Sequence, residues 1–86
     1  MLIMKIKFSK KSVSFIKKCE KELKKRLLEK IESLQSNPFP SDSKRIMNQK
    51  DKIFRIRIGD YRVLYEVLPE KEIILIADIN KRSKIY

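Results

Sequence analysis

Phe54-Arg55-Ile56-Arg57-Ile58-Gly59-Asp60-Tyr61-Arg62-Val63-Leu64-Tyr65 is the stretch that decides how this chain folds. Apolar and charged residues alternate with period two on both sides of Gly59-Asp60, and that pair predicts a two-residue hairpin turn. A tight turn there sets Ile58 against Tyr61, Arg57 against Arg62, and Arg55 against Leu64. The pleat then gathers Phe54, Ile56, Ile58, Tyr61, Val63 and Tyr65 on one face as core. Arg55, Arg57 and Arg62 crowd onto the other face. Like charges directly opposite one another destabilise a strand pair, so their retention points to a polyanionic partner.

The composition agrees. The 86 residues carry 22 Lys and Arg against 11 Asp and Glu, a net charge of +11, which favours nucleic acid, an acidic protein or an anionic membrane surface. A lysine-rich solvated surface is the bland alternative. With 42% apolar residues, the chain is long enough for one domain over 1–86 with a single small core. The lone cysteine, Cys19, falls in helical register with apolar residues, which predicts a core thiol in a reducing compartment. Met1-Leu2-Ile3-Met4 is followed at once by Lys5 and Lys7, unlike a signal peptide, and no apolar run reaches membrane-spanning length. A cytoplasmic location is the expectation.

The chain contains no histidine. Histidine acid–base catalysis, Ser-His and Cys-His nucleophiles and most zinc geometries are thereby excluded. The acidic pairs Glu20/Glu22 and Glu29/Glu32 lie among lysines and read as solvated helix-surface partners. A single glycine rules out a glycine-rich phosphate loop. Neither a metal nor an organic cofactor is expected, and any chemistry falls to Arg, Lys, Tyr or carboxylate.

Upstream, Leu2 to Phe8 alternates Ile and Lys as a half-buried strand, and Ser9 can cap a helix. Val13, Ile16, Cys19, Leu23, Leu27, Ile31 and Leu34 recur at three- and four-residue steps, with Leu28 widening the stripe. This pattern fits one long amphipathic helix or a helical hairpin. Asn37-Pro38-Phe39-Pro40 ends the helical region, and Ser41 to Lys52 reads as an exposed connector. Strands are expected at Ile53–Ile58 and Tyr61–Leu68. After a turn at Pro69-Glu70-Lys71, Ile73–Ala77 is continuously apolar, as in a strand covered on both faces. The expected class is α+β: an N-terminal strand, then a helical hairpin or long helix packed on one face of a single antiparallel sheet, whose last three strands form a meander.

The string from Phe54 to Val67, with the apolar strand and the ending Lys81-Arg82-Ser83-Lys84-Ile85-Tyr86, resembles the RelE/ParE toxin superfamily, and RelE-type mRNA interferases most. The resemblance spans nearly the whole chain; the hairpin and the Lys-Arg-Ser…Tyr ending are its specific parts. It implies a toxin of a type II toxin–antitoxin system, a metal-independent endoribonuclease that cuts mRNA in the ribosomal decoding site. The RNA 2′-hydroxyl would attack the adjacent phosphate. A small RelB-like antitoxin would wrap the basic surface. By position, Arg55, Arg57, Arg62, Arg82 and Tyr86 fall on the family's site, with Lys52, Lys81 and Lys84 as RNA-binding cations. Forked arginines suit a scissile phosphate, and Tyr86 is the candidate to accept the 2′-hydroxyl proton. The prototype carries lysines where this chain has Arg55 and Arg57; arginine does not give up its proton, which leaves Tyr86 as the base. A ParE-like toxin that inhibits DNA gyrase on the same fold is the alternative, and an inert RNA-binding module is a third. Few aromatics, and those on the core face, speak against single-strand stacking.

Overall fold

The computed structural model describes residues 3–46 and 53–81. Within them the chain forms β1 (Lys5–Phe8), α1 (Lys10–Lys18), α2 (Lys21–Ser33), β2 (Lys44–Arg45), β3 (Ile53–Ile58), β4 (Tyr61–Leu68), a single 3-10 turn (Pro69–Lys71) and β5 (Ile73–Lys81). The strands lie in one sheet in the order β1-β5-β4-β3-β2.

The hairpin has the register read from its alternation: Arg55 opposite Leu64, Arg57 opposite Arg62, Ile58 opposite Tyr61. Gly59 takes φ 58°, a left-handed conformation that glycine adopts without a Cβ clash and that suits the first central position of a hairpin turn.

The sheet is mixed rather than wholly antiparallel. β1 runs parallel to β5, with Lys5 paired to Ile73 and Phe8 to Ile76, while β4 is antiparallel to both of its neighbours. The direction of that pairing is set by where the helices deliver the chain, which the alternation within β1 does not encode. β2 is a further addition, in the stretch expected to be a connector: Lys44 pairs with Arg55 and Arg45 with Phe54.

The helical region divides into a hairpin. Cys19 (ψ 161°) and Glu20 (ψ 159°) are both extended and interrupt the helix. No glycine or proline marks the break. The Cys19 thiol donates to the Ile16 carbonyl at 3.4 Å and its N–H donates to Phe15 O, so the end of α1 is satisfied locally. At the start of α1, the Ser9 hydroxyl accepts from Ser12 N as the cap.

Both helices cover one face. Leu27, Leu34 and Ile31 from α2 and the residues just after it are buried against Ile56, Val63, Tyr65, Ile74, Ile76 and Ile79. Val13, expected in the same stripe, is exposed. Ser12 takes the inward place on α1, with its hydroxyl donating to Ile76 O at 3.0 Å, while Ser9 Oγ donates to Ala77 O at 2.8 Å. These two bonds clasp α1 to β5 beside a bulge. There Tyr65 pairs with Ile76 but Leu64 with Asp78, so Ala77 is the extra residue. Nor is β5 equally covered on both sides: Ile74 and Ile76 are buried, whereas Ile73 and Leu75 on the helix-free face are half-buried. The strand also continues to Lys81.

Tyr65 ties the segment after α2 to the sheet. Its hydroxyl donates to Pro38 O at 2.7 Å, and its ring stacks on Phe54, which meets Phe39 edge-on. Burial raises the phenol pKa above its ordinary value; a hydrogen bond with Ser43 lowers it and Asp42 raises it further. The folded state therefore favours the neutral phenol. That contribution is complete below the unfolded value of about 10 and is lost as pH rises from there through the higher folded value. Chemical denaturation above about pH 10 should show an alkaline loss of stability that Tyr65→Phe reduces. An identical alkaline slope in that variant would clear Tyr65 of the effect.

Candidate anion site on the helix-free sheet face

Because the pleat alternates, residues opposite those of the core face fall together on the side away from the helices. β3 contributes Arg55 and Arg57, β4 contributes Arg62 directly opposite Arg57, and β2 contributes Lys44 directly opposite Arg55. Asn80 of β5 pairs with Arg62 on its other side. The three arginines of the hairpin are thus brought onto one face, at the turn end of the sheet.

Their environments differ. Arg57 is exposed at the edge of β3, and Arg62, in the middle of the sheet, is 3% exposed. Arg55 is half-buried, and its Nε is buried without a hydrogen-bond partner. An N–H withheld from water and left unmatched costs about 1–3 kcal/mol. Two carboxylates lie near the arginines in register: Glu66, opposite Ile53, is diagonal to Arg55, and Asp78, opposite Leu64, is diagonal to Arg62. Asp78 is already engaged. Its oxygens accept from Ile79 N at 2.9 Å and Asn80 Nδ2 at 3.0 Å, with Lys11 at 3.9 Å.

Two contributors escaped the sequence reading. Lys44 lies in the polar connector, and the signal for its strand is only the step from two cations to Ile46. Arg26 projects from α2 over the hairpin turn, so close that a Cβ on Gly59 would lie 3.6 Å from its guanidinium. Arg26, Lys30 and Arg57 line a shared cleft of about 490 Å³ between α2 and the β3 edge. That 3.6 Å is an ordinary contact, so the cost of Gly59→Ala comes from the left-handed backbone, about 1–2 kcal/mol. Urea unfolding should show that loss; no loss would mean the turn readily changes type.

Lys81 ends β5 opposite Tyr61, which places it on the helix-covered face, away from the arginines. It borders a groove of about 830 Å³ with Lys11, Lys18, Phe15 and Tyr61. Lys52, Arg82, Lys84 and Tyr86 lie outside the described residues. Among the described residues no cluster of three His, Cys, Asp or Glu side chains could hold a metal, and no helix is long and apolar enough to cross a membrane.

A helical hairpin on one face of a mixed five-stranded sheet matches a known class. Residues 6–86 match the model of the ParE toxin of type II toxin–antitoxin systems, parDE, and the chain belongs to that family of toxins, within the RelE/ParE superfamily. Its relatives include a Methanocaldococcus jannaschii protein assigned as toxin RelE1, 41% identical over 64 residues that cover 72% of this chain and 71% of that one. Among solved structures, the archaeal RelE–RelB complex from Pyrococcus horikoshii OT3 is matched at TM-score 0.83 and 27% identity, over 98% of this chain and 100% of that one. The isolated Escherichia coli RelE toxin is matched at TM-score 0.79 and 18% identity, over 91% and 83%, a likeness of fold.

Proposed function

We propose that this toxin is a ribosome-dependent endoribonuclease of the RelE type, acting on mRNA in the cytoplasm and restrained by a RelB-like antitoxin. The observation that carries the reading is the arginine pair held face to face across β3 and β4, with Arg55 and Lys44 alongside on the same face. The 41% identity to the RelE1 protein and the fit to a RelE crystallised with RelB support it.

In this reading the 2′-oxygen forms a bond to the adjacent phosphorus as the bond to the 5′-oxygen breaks, leaving a 2′,3′-cyclic phosphate and a 5′-hydroxyl. Arg55, Arg57 and Arg62 bind the phosphate and meet the charge that grows on its oxygens. Tyr86 takes the 2′ proton. Arg82 hydrogen-bonds the leaving oxygen, whose proton comes finally from solvent, because a guanidinium is too weak an acid to supply it. Lys52, Lys81 and Lys84 add attraction for the RNA backbone. With no histidine in the chain, positioning of the substrate by the ribosome carries much of the rate.

The second reading is favoured by the matched family model, which is that of ParE toxins: inhibition of DNA gyrase without RNA cleavage. Primer extension on mRNA from cells induced to make the chain separates the two. Cuts within translated codons are expected. Tyr86→Phe, which removes only the hydroxyl, should lower them about 100-fold or more. Undiminished cuts in that variant would exclude the phenol as base, and intact mRNA with gyrase-linked DNA breaks would establish the alternative.

A further inference from the structure

The first eighteen residues contain six lysines and no acidic residue; Glu20 is the first carboxylate in the chain. Two of these lysines, Lys5 and Lys7, lie on the edge strand β1, where cations guard against edge-to-edge pairing. The other four are on α1, where no strand edge needs guarding; Lys17 and Lys18 lie in its last turn, where the helix dipole favours cations. Lys10 and Lys11 are its first two residues, at the end where the helix dipole disfavours cations, and its first turn contains no acid. Lys17 and Lys18 follow seven residues later on the same two rows, about 10 Å along the axis at 1.5 Å per residue. All four are exposed, and exposed Ser14 lies between the pairs. Among the described residues, carboxylates reach them only through the long Lys11–Asp78 pair at 3.9 Å. The serine clasp onto Ile76 and Ala77 fixes the helix, so the lysine rows are presented on a rigid support.

We propose that the outward face of α1 (Lys10, Lys11, Ser14, Lys17 and Lys18) is a second anion surface, which docks the toxin on the sugar–phosphate backbone of folded RNA. It rests on the RNA-directed reading above but is separate from the arginine face. Paired ammonium rows on a straight helix suit phosphates held at fixed spacing in a duplex, and a serine hydroxyl can add a hydrogen bond to one of them. Phe15 and Tyr61 border the groove beside Lys11, Ser14 and Lys18, but they pack edge to face on each other and against the core, so the outward rows offer charge and a hydroxyl and not a stacking platform. Recognition is therefore by shape and charge, without sequence preference.

The test is the salt dependence of binding to a fluorescent, fully paired RNA hairpin, followed by anisotropy, for the full chain and its Lys→Gln variants. Removing one lysine–phosphate interaction lowers the slope of log K against log salt by about 0.9 on duplex nucleic acid. Lys10→Gln/Lys17→Gln and Lys11→Gln/Lys18→Gln should each lower it by about two, equally for hairpins of different sequence. Thermal unfolding should be undiminished, because glutamine keeps the helix propensity. An unchanged slope overturns the proposal. So does unchanged RNA binding with weakened binding of an acidic antitoxin peptide, which would make α1 a protein-docking face. Hairpin binding is read without cleavage, so a lowered slope supports this surface even where induced cells show no mRNA cuts, a result that would sink only the nuclease reading.

Discussion

Arg57→Ala should lower mRNA cleavage by about 100-fold while leaving the fold intact. The magnitude is that of removing one preorganised donor aimed at charge that develops in the transition state, about 10²–10³ in rate. The second half of the expectation follows from position. Arg57 is exposed at the edge of β3 and its partner across the ladder is another cation, Arg62. Surface substitutions of this kind change stability by no more than about 0.5 kcal/mol. Arg62 is a poorer probe, because it is 3% exposed and its truncation would open a hole in the sheet. Arg57→Lys adds information: a lysine keeps the charge but loses the fork, so partial recovery would separate attraction of the anion from its alignment. Primer extension and thermal unfolding on the same variants provide both readouts. Undiminished cleavage by Arg57→Ala would remove this side chain from the chemistry.

Leu27→Ala should cost about 3 kcal/mol, within the range for emptying a fully buried leucine site. Leu27 has 0% exposure and lies on the inner face of α2 against the sheet. A domain of 86 residues has a total stability of only about 4–13 kcal/mol. The loss should therefore shift the thermal midpoint by more than about 10 °C, at about 4–8 °C per kcal/mol. Val13→Ala is the matched control, since Val13 belongs to the same apolar stripe in sequence but is 37% exposed. Its change should stay within about 0.5 kcal/mol. Equal effects at the two positions would contradict the way α1 and α2 are seated.

What the residues announce is what local chemistry dictates. The hairpin boundaries, its register and the sharing of a face by Arg55, Arg57 and Arg62 follow from period-two alternation around one glycine, and the structure has all three. Ser9 as a cap is legible for the same reason. The missing parts depend on distant partners. Nothing in Lys5–Phe8 specifies that it runs parallel to β5, and Lys44–Arg45 is too short to show a period. The break at Cys19-Glu20 lacks a breaker residue; Cys19 N–H still makes the ordinary helical bond to Phe15 O, but the Ile16 carbonyl is answered by a thiol, which helical propensity does not foresee. Val13 is apolar enough for the core, but Ser12 takes the inward place, its hydroxyl donating to Ile76 O beside the bulge. On the site, the sequence shows where the arginines are but not how deep: Arg62 in mid-sheet and Arg57 at an edge read alike as letters.

Ala77 has one consequence for how this fold can vary in length. Ile76 faces Tyr65 and Asp78 faces Leu64, so the residue between them is passed over by the ladder. Deleting it would leave Ile79 pointing inward and Asn80 still beside Arg62. Elsewhere in β5, losing one residue would turn the remainder of the strand inside out. Across the superfamily, single-residue gaps in this strand should therefore concentrate between Ile76 and Asp78. Where such a gap occurs, the serine at the position of Ser9 loses its acceptor and is released to diverge.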